Sequence, residues 1–244
     1  METITPEKLS ELGEKWLETK IQRMKNLLKI AEPDEALYRE IMLSLGYPKN
    51  KSNFLELALL LPYSEMRRLK DRETIEKALL YRAGFSEEKD GIPTFFDFSL
   101  RMNRSVWEYK GIRPNNFPEK RIIGITDLLE KGIDKGLVNF FEKNIKASAE
   151  DRNLKVALKS IMNFSGIGSQ RKEEMFFNII MPFMMIYSKD EVVLFFLRTM
   201  FETYPPLGDN NLLKKFKAKY PYLELKTLRE YMGALFFQKN LNTD

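Results

Sequence analysis

The chain has 244 residues, with 40 Lys and Arg against 35 Asp and Glu, and it contains neither cysteine nor histidine. Disulfides, thiolate zinc or iron–sulfur sites, a cysteine nucleophile and a Ser-His-Asp triad are excluded within the chain, and any metal would need oxygen ligands, as Mg²⁺, Ca²⁺ or Mn²⁺ accept. Hydrophobic residues make up 43%, enough to bury a substantial core, and the formal charge of +5 favours anionic partners, an ordinary lysine-rich surface being the alternative.

Apolar residues recur at helical spacing nearly everywhere. Leu12, Trp16, Leu17, Ile21, Met24 and Leu28 share one face of a first helix. Pro33 and Asp34 end it and start a second, through Leu37, Ile41 and Leu45 to Gly46. Ser52 is placed to cap a third helix, which should end near Leu61 because Pro62 disfavours helical geometry before it. Ile75, Leu79 and Leu80 mark another, closed by Gly84. Residues 84–94 read as a loop, and Phe95, Phe98, Met102, Val106 and Trp107 fall on roughly one helical stripe.

Gly111 to Pro118 forbids a continuous helix, and Pro118 suits the first turn of the next, through Ile122, Ile125 and Leu129 to Gly132. Ser148 and Asp151 resemble a capping box for a helix bearing Leu154, Leu158, Ile161 and Met162. Gly166-Ile167-Gly168 interrupts it. A helix from Ser169 carries Met175, Ile179 and Phe183, with Pro182 as a kink. Val193, Leu194 and Leu197 mark another, ended by Pro205 and Pro206, and the last two cover about Asn211 to Lys219 and Glu224 to Gln238. Strand patterns are nearly absent. The expectation is an all-α bundle of about ten helices with a helix-hairpin-helix-like turn, residues 1–244 forming one domain whose only internal boundary would lie near 84–94.

Met1-Glu2-Thr3 does not open a signal peptide, and the apolar run from Met175 to Tyr187 falls short of the roughly 20 residues a bilayer span needs. These features predict a cytoplasmic protein with no membrane partner. Abundant Lys and Glu without Cys also fit a thermophile.

Two places can hold an anion. In Phe164-Ser165-Gly166-Ile167-Gly168-Ser169-Gln170-Arg171, a helix, a Gly-x-Gly turn and a second helix are similar to the helix-hairpin-helix of nucleic-acid-binding proteins. Gly166 and Gly168 let the backbone approach a phosphate, and Ser169 and Gln170 open a helix whose amides point toward it. Arg171 and Lys172 oppose the dipole of that first turn, yet suit an anion placed there. The competing reading is a glycine-terminated helix followed by a serine-capped one. In Arg113-Pro114-x-Asn116-x-Pro118-x-x-Arg121, a stiff turn with two arginines could hold a phosphate or carboxylate. Here the competing reading has Arg113 and Asn116 bonding loop carbonyls. From 135 to 172, eight cations (Lys135, Lys143, Lys146, Arg152, Lys155, Lys159, Arg171 and Lys172) face three acids, Glu142, Glu150 and Asp151, an excess of five. Ser169-x-x-Lys172 matches a Ser-Lys nucleophile spacing, but so does Ser86-x-x-Lys89, and no Walker loop or dinucleotide-binding fingerprint is present.

Several segments together resemble a bacterial family, domain-of-unknown-function family 2851. They are Ala36-Leu37-Tyr38 through Leu45-Gly46-Tyr47-Pro48-Lys49-Asn50, Phe54 to Ala58, Ala83-Gly84, Trp107, Arg113 to Ile122, Ile167 to Arg171, and Asn178 to Phe183. The resemblance runs from about residue 20 onward. It implies that this chain is similar to the helical C-terminal part of longer members, whose N-terminal region, rich in His and acidic residues, looks like a metal-dependent nuclease-type core. Members that end in a cysteine cluster differ from this chain, where Tyr231 to Asp244 has none.

Three functions are then in view. The first is a non-enzymatic helical binding module, without cofactor or metal, for DNA, RNA or a nucleic-acid-processing partner, using Gly166, Gly168, Ser169, Gln170, Arg171 and Lys172, with Arg113, Asn116 and Arg121 as secondary contacts. The second is a protein–protein scaffold docking a separately encoded nuclease-like subunit. The third is a Mg-dependent phosphoester enzyme, which would need several carboxylates in one pocket.

Overall fold

The structure is a computed structural model that describes residues 4–46 and 49–240. It is all-α, and no β-strand occurs among the described residues. Met1 to Thr3, Tyr47-Pro48 of the Leu-Gly-Tyr segment, and Leu241 to Asp244 at the chain end lie outside the described residues. Packing divides the chain into two units.

The second unit comprises Ile30–Lys143 and Asn163–Gly168. Its helices are α2 (Pro33–Leu45), α3 (Lys51–Leu60), α4 (Tyr63–Met66), α5 (Arg72–Arg82), α6 (Pro118–Lys131) and most of α7 (Leu137–Ser148). Proline opens α2 and α6, as its fixed φ and missing amide allow. Leu37, Tyr38, Ile41, Phe54, Leu57, Leu79, Ile122, Ile125 and Leu129 are buried at helical spacing. The Tyr38 hydroxyl donates to the Leu61 carbonyl at 3.0 Å, and the Tyr63 hydroxyl to Gly132 at 2.7 Å, so these buried oxygens are satisfied. Asp34 accepts from the Val138 amide at 2.9 Å and so caps α7 from more than one hundred residues away.

The stripe from Phe95 to Trp107 does not form a helix. Residues 83–113 carry only a 3₁₀ turn at Arg104–Val106. Gly91, Pro93 and the Asp97 and Asn103 side chains, which accept from the Ser99 and Ser105 amides at 2.9 Å each, turn the backbone away from helical bonding. The fully buried Arg82 guanidinium donates to the Asp97 and Leu100 carbonyls and lies 4.0 Å from the Phe96 ring centroid, fastening this long loop. The 84–94 segment is therefore internal to the second unit.

The first unit comprises Met1–Lys29, Asn144–Met162 and Ser169–Asp244. It holds α1 (Pro6–Leu27), the end of α7, α8 (Leu154–Ile161), α9 (Ser169–Met175), a π-helical segment (Phe176–Ile180), α10 (Met181–Tyr187), α11 (Glu191–Thr203), α12 (Asn211–Lys219) and α13 (Leu228–Asn240). α1 packs against α13 and α10, and Trp16 stacks on Phe201 at 6.2 Å. Glu14 holds Arg198 through two bonds of 2.8 and 2.6 Å and approaches Arg229 at 3.4 Å.

The irregularity expected at Pro182 is a π-helical segment. Proline has no amide to offer the preceding turn, the Met181 amide reaches back to Phe176, and the Asn178 side chain donates to the Glu174 carbonyl at 2.9 Å. The Ser148–Asp151 capping box does not form. Ser148 is the buried last residue of α7, and Asn153 caps α8 instead, accepting from the Lys155 and Val156 amides. A reciprocal capping box occurs at α13: the Glu230 amide donates to the Thr227 hydroxyl at 3.2 Å and the Thr227 amide to the Glu230 carboxylate at 3.3 Å.

Candidate nucleic-acid interface

The Gly-x-Gly turn is built by α6. Gly166 has φ +81°, and a Cβ there would lie 2.4 Å from the Gly124 carbonyl oxygen; a Cβ on Gly124 would lie 2.4 Å from that of Gly166. Two glycines thus allow the turn to touch the helix backbone. Gly168 has open space around its Cβ position. The Ser165 amide donates to the Asp127 carboxylate, and Lys131 donates to the Asn163 carbonyl at 2.6 Å. Burial raises the Asp127 pKa, but the Ser165 bonds and the Lys131 charge outweigh it and hold the carboxyl below its ordinary range. Asp127 is thus the carboxylate that the Ser165 amide meets.

Ser169 and Gln170 are exposed at the start of α9. Arg171 pairs with Glu174 at 2.9 Å, and Lys172 donates to the Met162 carbonyl at 3.0 Å, closing the C-terminus of α8. Both cations are half-buried and already have local bonds.

At the proline-framed turn, Arg113 and Asn116 are exposed on either side of a 3₁₀ turn closed by the Asn116 amide on the Arg113 carbonyl at 2.8 Å. Arg121 points the other way. It is buried, and its guanidinium donates to the Leu45 carbonyl at the end of α2. Arg113 and Arg121, though close in sequence, do not present their charges to one site. Arg113 and Arg121 belong to the second unit and Arg171 to the first.

Several of the segments that carry the family resemblance lie in the second unit and meet one another there, while Asn178 to Phe183 belongs to the first. Besides the Arg121–Leu45 bond, the Asn50 side chain exchanges two bonds of 2.9 Å with the Glu108 backbone. Lys49 donates to Lys110 O at 2.7 Å, Trp107 Nε1 donates to Ala83 O at 2.8 Å, and Phe54 meets the Trp107 ring edge-on at 5.1 Å. These residues act as a latch that closes the loop onto α2, α3 and α5.

The positive excess is distributed unevenly. The first unit has 21 Lys and Arg against 16 Asp and Glu, an excess of five; the second has 19 of each. Within the first unit, Arg152, Lys155 and Lys159 on and before α8 are exposed, while Lys146 bonds Asp190 at 2.5 Å. The lysines of α12 escaped the sequence reading. Lys214, Lys215, Lys217 and Lys219 are all exposed, and α12 contains no acidic residue. Lys217 pairs with Asp209 at 2.8 Å. A run of four lysines in six positions was the available signal.

α12 is well positioned. Asn210 caps it through the Leu213 amide at 2.9 Å and donates to the Tyr231 hydroxyl, which donates to the Gly208 carbonyl at 3.1 Å. Burial, with Glu174 and Asp209 nearby, pushes the Tyr231 phenol up to about 12, so it stays a neutral donor. Leu213 and Phe216 face the core, and Pro221 stops the helix after Tyr220. Beyond it stands Tyr222, 65% exposed.

Among the described residues, no three acidic side chains gather so as to hold a metal ion, and no helix is long and apolar enough to cross a membrane. Neither a curated relative nor a solved structure matches the chain. The family described as "Protein of unknown function (DUF2851)" matches residues 2–211, which takes in α1 as well as the segments named above and stops at the first residue of α12. The chain belongs to the DUF2851 family.

Proposed function

We propose that this protein is a non-enzymatic helical binding module for nucleic acid, acting in the cytoplasm, and that its first unit makes the contact. The observation that carries this reading is the confinement of the net positive charge to the first unit, together with the exposed, acid-free lysine run of α12 within it. Basic residues clustered on one element neutralise backbone phosphates and release counterions, which gives affinity without sequence preference. Exposed Arg152, Lys155 and Lys159 add to this surface, and Ser169 and Gln170 of the turn add polar donors. Arg121 has no part in it, because its charge is spent on Leu45.

The test is fluorescence anisotropy with labelled DNA and RNA at two salt concentrations. With four phosphate contacts, affinity should fall on the order of a hundredfold between about 50 and 200 mM salt. The double variant Lys214→Glu/Lys215→Glu should weaken binding strongly. No binding of DNA or RNA at low salt would sink the reading.

One observation favours a second reading, a protein–protein scaffold for a nuclease-like subunit. Val192 and Phe195 are both exposed one turn apart on α11, Phe195 at 76%. Replacing both by Ser should then abolish co-purification of such a partner while leaving nucleic-acid affinity unchanged.

A further inference from the structure

Two hollows in the first unit are lined at consecutive residues. One, of about 420 Å³, is bounded by Arg152, Asn153, Leu154, Lys155 and Pro205. The other, of about 320 Å³, is bounded by Pro206, Leu213, Lys217 and the segment Pro221–Leu225. Pro205 lines the first and its neighbour Pro206 the second, and consecutive Cα atoms lie about 3.8 Å apart.

The walls of the second hollow differ in chemistry. Pro206, Leu213, Pro221, Leu223 and Leu225 are apolar, whereas Lys217 stands on its α12 edge. At about 100° per residue, Lys214 lies roughly 60° round the helix from Lys217 and continues that edge. Tyr222 lines the hollow and is largely exposed, yet its ring is not loose. Tyr222 meets Tyr220 edge-on at 6.3 Å, and Tyr220 rests on Phe216 at 5.1 Å and Phe237 at 6.0 Å. An aromatic face is thus held at the surface beside lysines. Two carboxylates oppose the lysines: Asp209, already paired with Lys217, and Glu224 in the hollow's wall.

We infer that this site takes single-stranded nucleic acid, one unpaired base stacking on Tyr222 while the backbone runs past Lys217 and Lys214 and over the Pro205–Pro206 step toward Arg152 and Lys155. A purely electrostatic surface would have no use for an exposed, largely apolar hollow lined in part by an aromatic ring. A duplex keeps its bases stacked on each other and cannot offer one to Tyr222, whereas a single strand can. Glu224, which would repel a phosphate, is suited to accept from the amino edge of the stacked base. The inference rests on the nucleic-acid reading above and narrows its substrate class.

The experiment compares a short labelled single strand with its own duplex on the full chain, at about 50 mM salt. The single strand should bind more tightly. Tyr222→Ala should weaken it about five- to a hundredfold and leave duplex affinity unchanged, while Tyr222→Phe, which keeps the stacking face, should restore it. A strand carrying 5-iodouridine should photocrosslink at Tyr222. Equal affinity for both forms with no effect of Tyr222→Ala would overturn the inference and leave the charge-based reading standing. An acidic peptide that displaces the strand equally well would also overturn it. Absence of any nucleic-acid binding would overturn both.

Discussion

Gly13 and Gly233 meet backbone to backbone where α1 crosses α13: a Cβ on Gly233 would stand 3.0 Å from the Gly13 amide nitrogen and 1.9 Å from the Leu9 carbonyl oxygen. A Cβ on Gly13 would lie 2.2 Å from the Arg229 carbonyl oxygen. The obstructing atoms are main chain, which cannot swing aside as a side chain does. The two helices therefore touch only because neither carries a side chain here, and the contact brings Glu14 within reach of Arg229.

Gly233→Ala and Gly13→Ala should each destabilise the first unit by about 1–3 kcal/mol, the usual cost of overpacking. Thermal unfolding followed by circular dichroism tests this. A melting temperature unchanged by both would mean that the helices can separate freely.

Arg121 separates a structural from a binding role. Arg121→Met should leave the Leu45 carbonyl buried without its donor, at a cost of about 1–3 kcal/mol. Affinity for nucleic acid should not change. A variant that binds less well yet melts normally would return Arg121 to the interface.

The Gly-x-Gly turn should loosen in acid. Asp127 holds its charge below the ordinary carboxylate range in the folded chain. Its contribution is complete above its unfolded value, about 3.9, and is lost as the pH falls through the lowered folded value. The Ser165 amide proton should shift with that titration by nuclear magnetic resonance, and Asp127→Asn should abolish the shift.

Arg82 should hold the long loop shut. Arg82→Met strips donors from the Asp97 and Leu100 carbonyls and leaves Glu65, 3.3 Å away, unpaired. The loss should be about 3 kcal/mol or more. Limited proteolysis should then cut within residues 84–103 first; an intact loop in the variant would count against the anchor.

The helices were legible because burial imposes a period on the sequence. Asn211 to Lys219 is read with the observed bounds, since Asn210, Leu213, Phe216 and Pro221 give a cap, a face and a stop close together. The stripe from Phe95 to Trp107 misled for the complementary reason. Its period is helical, but the structure buries Phe96, Met102 and Trp107 and exposes Phe95 and Val106. What shapes that stretch is the Arg82 side chain, a partner more than ten residues away that no local pattern reports.

The candidate site was legible in its charge but not in its geometry. Arg113, Arg121 and Arg171 look alike as letters. The fold turns one outward, buries the second against Leu45 and pairs the third with Glu174. Gly166 reads either as a phosphate-binding glycine or as a helix end, and the fold sets it against Gly124, forty-two residues earlier. The α12 lysines went unnoticed because the charge run at 135–172 drew the reading, and the hollow beside Tyr222 joins residues that no local pattern links.

The pairing of α1 with α13 also sets an order of events during synthesis. Nearly all of the second unit is one continuous stretch, residues 30–143, completed by the short return at 163–168, so its contacts become available as the chain emerges. The first unit has no such option. Leu9, Gly13 and Glu14 leave the ribosome about two hundred residues ahead of their partners Arg229 and Gly233. At roughly 5–20 residues per second, the α13-facing side of α1 waits at least ten seconds or so for its partner. In a newborn chain, the α1–α13 contact therefore closes only after the continuous stretch of the second unit has emerged.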